Sequence, residues 1–373
     1  MGAGRKRPAF WRWERWVAAV IAVASYILLV QGLLSRNWGR RRGRPRVNTD
    51  SSVCNSDSLI AWAKSRGVSA GHVAVADFLW EDSEEGGEHW TDGIKERRGL
   101  IALQDIKRGD VLVSVPWSAP DSPIVSAEHI RNNTGHPLSA LVRQEEKALS
   151  QVEIMALFLL HEYHNRDGEW APYVCLLPRE MMSTMFWKQG ELQALNNPSL
   201  YNRTVNLLHT LEWRHRVHIL PALERHPGLF DPRDVSLENW LWAMGNVNAR
   251  NWGVNVPGRG KVNVMAPVAD LFNHRQFDRG GPWLYPGGGE RGGGGGSQAE
   301  FRLYAGHDYD KGDEVFISYG TDCNERFLLN YGFKLPGNNV PCRNHSAASK
   351  MVSRGPPSLK APLNVEGQRE ELS

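Results

Sequence analysis

The sequence is poor in cysteine. Its 373 residues contain four, Cys54, Cys175, Cys323 and Cys342. Four are too few for a disulfide scaffold, and their wide spacing leaves no C-x-x-C zinc pair. Other signatures are absent too. No G-x-G-x-x-G follows a strand pattern, and no G-x-x-x-x-G-K-[ST] or H-E-x-x-H occurs. Dinucleotide, P-loop and zincin chemistries therefore have no support. The body also lacks excess positive charge. Eleven of the 44 Lys and Arg, but one of the 41 Asp and Glu, fall in residues 1–46. That leaves 33 basic against 40 acidic residues in the rest. A mildly acidic body is a poor phosphate binder, so no nucleic-acid partner is expected.

What is present begins with a basic flank (1–15) and an uncharged run, Trp16–Leu34, WVAAVIAVASYILLVQGLL. As a helix, 19 residues would span roughly 28 Å, close to a hydrocarbon core. The run is read as a retained transmembrane helix in preference to a cleaved signal peptide, whose apolar region is usually shorter. Six arginines follow it, from Arg36 to Arg46, and five basic residues precede it with Glu14 among them. The bias favours a single-pass membrane protein with a cytosolic body, and the scattered cysteines give no sign of an oxidising compartment. Three N-x-[ST] triplets, at Asn132, Asn202 and Asn344, are common by chance and are read as unused.

Residues 35–72 read as a basic, then polar, linker. Two alternating units follow, far apart: RGLIALQDIKRGDVLVSVP (98–116) and EFRLYAGHDYDKGDEVFISYG (300–320). Each reads as two short strands around a Gly-Asp turn. The middle is helical. Val152, Met155, Leu159, Leu160 and Tyr163 form one stripe. Val205, Leu208, Leu211, Val217, Leu220 and Leu223 form another, and Ser236-x-Glu238 starts a further helix. PGGGERGGGGGS (286–297) and the tail (336–373) read as unstructured. The pairs His161-x-x-His164 and His215-x-x-His218 have metal-compatible spacing, but without a matching carboxylate they read as helix-surface residues.

Three segments are more specific together. They are Glu96-Arg97-Arg98-Gly99-Leu100; Asn248-Ala249-Arg250 with Val268-Ala269-Asp270-Leu271-Phe272-Asn273-His274; and Ile317-Ser318-Tyr319-Gly320 with Asn324-Glu325 and Asn330-Tyr331-Gly332-Phe333. In this order and spacing they resemble the SET-domain methyltransferases. More closely they resemble the subgroup with a helical insertion that includes the plant Rubisco large-subunit lysine methyltransferase and the actin-histidine methyltransferase. WAPYVCLLPREMMSTMFWKQGELQAL (170–195) resembles the insertion of that subgroup.

The resemblance covers about residues 94–335. It implies an α+β SET domain over 73–320, with small β-sheets, a helical insert at about 125–245 and a knotted closing segment over 321–335. It also implies an S-adenosyl-L-methionine pocket and no metal. Glu96 and the Arg98 backbone would meet the methionine part, Arg250 the cofactor carboxylate, and Asp270 the pocket floor. Asn273 and His274 would hold the adenine edge. Tyr319 would be the catalytic tyrosine, with Tyr331 lining the methyl-transfer channel and Trp252 on the substrate side. Two departures stand out: Cys323 replaces the usual Ser before Asn324, and Ala249 the Ser before Arg250. The expected activity is methyl transfer to a protein side chain. Lysine is favoured and histidine left open. The alternative is a membrane-tethered, SET-derived binding module without catalysis, motivated by the short stretch after Leu335.

Overall fold

The structure is a computed structural model that describes residues 53–80, 95–276, 282–285 and 299–342. The chain divides into two compact units, one of residues 1–48 and 187–197, the other of 49–186 and 198–373. Within the first unit, 187–197 is described. It holds the helix Gln189–Ala194, started by the Glu191 carboxylate accepting the Lys188 N–H at 2.6 Å. Trp16–Leu34 and 286–297 lie outside the described residues, as do positions 343–373 of the tail. Among the described residues no helix is long and apolar enough to cross a membrane.

The second unit is built on three sheets. Strands β1 (Val73–Trp80), β2 (Lys95–Ala102), β9 (Glu314–Ile317) and β6 (Asn273–His274) form one, in that order. Strands β3 (Val111–Pro116), β8 (Glu300–Tyr304) and β7 (Pro282–Tyr285) form the second, and β4 (Trp252–Val256) pairs with β5 (Gly260–Val264). The two alternating units are not hairpins. Each gives its first strand to one sheet and its second to another. Leu100 pairs with Val315 across β2 and β9, while Val113 pairs with Leu303 across β3 and β8. The turns explain this exchange. Asp110 accepts the Lys107 N–H at 2.8 Å, Asp313 accepts the Asp310 N–H at 3.0 Å, and Ile106 bridges to Tyr309 between them. Two tight, self-bonded turns lie side by side, so each outgoing strand meets the other unit. A bulge between Val111 and Val113 also breaks the expected alternation and buries Leu112 with Val113.

The stretch expected to be linker contains a helix, α1 (Ser56–Ser65). Asn55 caps it by accepting the Ser58 N–H at 2.8 Å, and Leu59, Trp62 and Ala63 form its buried face. So short a stripe inside polar sequence gives little periodic signal. Next come α2 (Ala127–Asn132), α3 (Leu138–Glu145), α4 (Gln151–His164) and α5 (Ala171–Val174). After the first unit's helix, α6, the chain continues as α7 (Pro198–Arg214), α8 (Leu220–Glu224) and α9 (Leu237–Arg250). Helix α4 is not one-sided: every residue from Val152 to Leu160 is buried. Its buried Glu153 is held by Arg214 of α7 at 2.7 and 2.5 Å, so the charge enters the core paired. A π-helical turn, His215–Ile219, joins α7 to α8. The wider turn shifts the helix phase, which puts Val217 at the surface and buries Ile219.

The chain closes through α10 (Asn324–Asn330) and the segment after it. Asn324 takes the Leu335 backbone at both ends, accepting its N–H at 2.9 Å and donating to its carbonyl at 3.1 Å. Gly332 has φ +85°, and a Cβ there would lie 2.3 Å from the Met182 carbonyl carbon. Only a glycine lets the closing segment press against that backbone. The first residues of the expected tail are tied down as well: Asn338 donates to the Asp322 carbonyl at 2.8 Å, and Cys342 is bonded to Cys323. The departure at Cys323 thus has a structural partner.

Candidate active site

Every cysteine is paired, Cys54 with Cys175 and Cys323 with Cys342. This corrects the view of them as scattered: partners 121 and 19 residues apart carry no spacing signal. Both bridges flank the same place. Cys175 follows Tyr173 of α5 by two residues, and Cys323 stands four residues after Tyr319.

The site lies where β2, β6 and β9 meet. Gly99 sits inside β2. A Cβ on it would come within 2.7 Å of Asn273 Nδ2 and 2.9 Å of Glu314 Oε1. That space lets Asn273 reach across the strand, donating to the Arg98 carbonyl at 3.1 Å and to Glu314 at 2.7 Å. Arg97 completes the group by donating to the other Glu314 oxygen at 2.6 Å. Glu314 was not expected from sequence, because a Glu after a Gly-Asp turn has no distinguishing pattern.

His274 accepts the Tyr319 backbone N–H on Nδ1 at 3.0 Å, and its ring lies 4.9 Å from Phe327 with the planes 30° apart. Tyr319 donates its hydroxyl to the Phe272 carbonyl at 2.7 Å, and its ring is 4.8 Å from Tyr331. Burial, then the neighbouring Tyr331, pushes the Tyr319 hydroxyl well above its usual range. Burial and the charge of Asp322 push Tyr331 up to about 12. Both hydroxyls stay neutral near pH 7.

The floor is Asp270. It is buried, accepts the Tyr173 hydroxyl on Oδ2 at 2.8 Å, and has Arg250 Nη1 at 3.5 Å from the same oxygen. Arg250, the last residue of α9, also donates to the Asp270 backbone carbonyl at 2.9 Å. Burial raises the Asp270 carboxyl, against the pull of Arg250 and Tyr173. Tyr173 is a further residue of this floor. Its only signal was its place in the W-x-x-Y motif, which names no role.

The expected residues thus form a connected group: Arg98, Asp270, Asn273, His274, Tyr319 and Tyr331, with Arg250 on Asp270. The Arg98 side chain donates to the Leu176 carbonyl at 3.3 Å, three residues after Tyr173. Trp252 stands apart from these contacts, its ring 5.3 Å from that of Phe301 in β8. Glu96 lies in β2 opposite Leu79, and its side chain is outside the described part of the chain. The donors and the acceptor left over here match, in chemistry, a ligand with both a carboxylate and an ammonium group. The Nε atoms of Arg98 and Arg250 and the Oδ1 of Asp270 are buried without hydrogen-bond partners among the described residues.

The histidine pairs serve elsewhere. His164 pairs with Asp234 at 3.1 Å, and His215 is buried with Nε2 on the Val235 carbonyl at 2.7 Å, not at a helix surface. Among the described residues one triplet has metal-ligand types close together, His136, His161 and Glu162. Both imidazoles bond to the same Glu162 oxygen, at 3.0 and 2.7 Å. His136 Nδ1 accepts the Leu138 N–H, so its proton sits on Nε2 and no lone pair faces the carboxylate. This is a satisfied buried network.

This arrangement of strands, insert and closing segment matches known proteins. The solved SET domain of LSMT bound to lysine and AdoHcy superposes with a TM-score of 0.57 at 24% identity, over 76% of this chain and 57% of that one. The Rubisco large-subunit N-methyltransferase of Pisum sativum is 31% identical over 257 residues, 66% of this chain and 47% of its own. The chain has the SET-domain fold and is similar to the Rubisco large-subunit methyltransferase group. The [fructose-bisphosphate aldolase]-lysine N-methyltransferase of Arabidopsis thaliana is 28% identical over 85% of this chain, and the N-lysine methyltransferase setd6 of Danio rerio 24% over 83%. The chain spans between about half and just under two thirds of these relatives' lengths. A scan against protein-family profiles finds no match.

Proposed function

We propose that the chain is an S-adenosylmethionine-dependent protein methyltransferase that acts on the ε-amine of lysine. The carrying observation is the Tyr319 hydroxyl, buried, neutral and fixed on the Phe272 carbonyl beside Tyr331. The curated relatives named above are lysine methyltransferases, which supports lysine over histidine and catalysis over a bare binding module. A protein substrate follows from the same reading, and a membrane tether at Trp16–Leu34 rests on its apolar length alone.

Bound S-adenosylmethionine would supply an electrophilic methyl group. The protein's own contribution is placement. Arg250 and Arg98 would receive the cofactor's carboxylate, and Asp270 would face its ammonium group. Asn273 and His274 tie β6 to β2 and to the Tyr319 backbone, so hydrogen bonds join the cofactor side to the tyrosine. The amine must attack as its neutral form. Two hydroxyls that hold their protons can orient it without adding charge.

Incubating the full chain with methyl-labelled S-adenosylmethionine and lysine-containing protein substrates tests this. Label should be recovered as methyl-lysine, and Tyr319→Phe should lower the rate by about 100-fold. Absence of methyl-lysine, or an unchanged rate in the variant, refutes the reading.

A further inference from the structure

We propose that this body matures in an oxidising, glycosylating compartment, where its four cysteines close two disulfides and Asn132 takes an N-linked oligosaccharide. The inference goes beyond the methyltransferase reading and does not depend on it.

The cysteines carry the first argument. Each has one partner, with Cα separations of 5.6 Å for Cys54–Cys175 and 5.0 Å for Cys323–Cys342, inside the disulfide range, and none is left over. Cytosolic thiols are kept reduced, so a chain whose every cysteine is committed to a bridge fits an oxidising compartment. Both bridges also hold the site. One fixes the chain beside Tyr173, the donor to Asp270. The other fixes the segment that carries Tyr331 and the Asn324 clamp on Leu335.

The second argument is independent. Asn132-Asn133-Thr134 is exposed at all three positions, at the end of α2, where Asn133 has already left helical geometry with φ −76° and ψ 87°. An acceptor triplet at a helix end, on the surface, is accessible. The triplet at Asn202 differs: it lies inside α7, with Thr204 buried and bonded to Thr184 at 2.8 Å. The proposal runs against the orientation favoured by the arginine flanks, where six residues stand against five.

The chemistry balances with ordinary partners. Each bridge forms as two thiols give two electrons and two protons to a protein disulfide, which is reduced to a dithiol. At Asn132 the side-chain nitrogen forms a bond to the anomeric carbon of a polyprenyl-diphosphate-linked oligosaccharide. The bond from that carbon to the phosphate oxygen breaks, and polyprenyl diphosphate leaves as the amide loses a proton.

The test uses the full chain expressed in eukaryotic cells and trapped with a polymer-tagged maleimide. We expect no tagged thiol before reduction and four after it. Endoglycosidase should shift the wild-type band, and Asn132→Gln should migrate one oligosaccharide unit faster than wild type before digestion. Thr134→Ala removes the same triplet without touching Asn132 and should match it. Tagging of the cysteines without reductant overturns the proposal. So does identical mobility of wild type and both variants before digestion. Neither readout involves S-adenosylmethionine, so failure here is distinct from failure of the methyltransferase reading.

Discussion

Replacing Gly99 by Ala should damage the site through one contact. The added Cβ would stand 2.7 Å from Asn273 Nδ2 and 2.9 Å from Glu314 Oε1. Both are ends of side chains, which could normally swing aside cheaply. Here they are pinned: Asn273 on the Arg98 carbonyl and Glu314, and Glu314 on Arg97. Moving Asn273 away gives up a hydrogen bond to a charged acceptor, about 1.5–3 kcal/mol. Ala in a strand interior recovers about 0.5–1 kcal/mol over Gly. The net destabilisation is about 1–2 kcal/mol, or roughly 2–4 °C in melting temperature for a chain of this size. Thermal unfolding of the single variants Gly99→Ala and Asn273→Ala and of the double variant forms a cycle. Once Asn273 has lost its amide, the shortest clash is gone and Glu314 is released from one partner, so Gly99→Ala should cost clearly less in the Asn273→Ala background than in the wild type. Additivity within about 0.5 kcal/mol would show that Asn273 does not lie over Gly99, and would refute the geometry of the site.

Arg250→Ala leaves Asp270 buried without its cation and removes a donor for the cofactor carboxylate. S-adenosylmethionine affinity should fall by about 1.5–3 kcal/mol in calorimetric titration, and unchanged affinity would remove Arg250 from the pocket. Tyr173→Phe deletes one hydroxyl and strips Asp270 of its 2.8 Å bond, so melting temperature should drop by roughly 2–5 °C. An equal melting temperature would deny that bond. Stability should also fall with acid. Burial holds His129 and His215 below the usual histidine value, so the unfolded chain takes up protons first as pH drops. That contribution is complete above about pH 6.5 and is lost below it, towards the folded-state values. Melting temperature should decrease from pH 7 to pH 5, and a rise over that range would contradict the burial of these two rings.

The site was legible in sequence because its residues sit in short, ordered motifs. Asp270, Asn273, His274, Tyr319 and Tyr331 each stand at a fixed offset from a neighbour that resembles a known family. What supports them was not legible. Glu314 and Tyr173 act through contacts with residues 41 and 97 positions away. The disulfides join residues 121 and 19 positions apart, spacings that no motif marks. Fold errors had local causes. Period-2 patterns marked β2, β3, β8 and β9 as strands, but pairing depends on where the turns send them. The stripe from Val205 to Leu223 assumed constant helical phase, and the π turn broke it.

The central claim is that Arg98, Arg250, Asp270, Asn273 and His274 form one pocket for S-adenosylmethionine. Calorimetric titration of the full chain with S-adenosylmethionine tests it most directly. Saturable one-to-one binding is expected, with weaker binding to Arg250→Ala. A wild-type chain that folds but gives no binding at millimolar cofactor would contradict it.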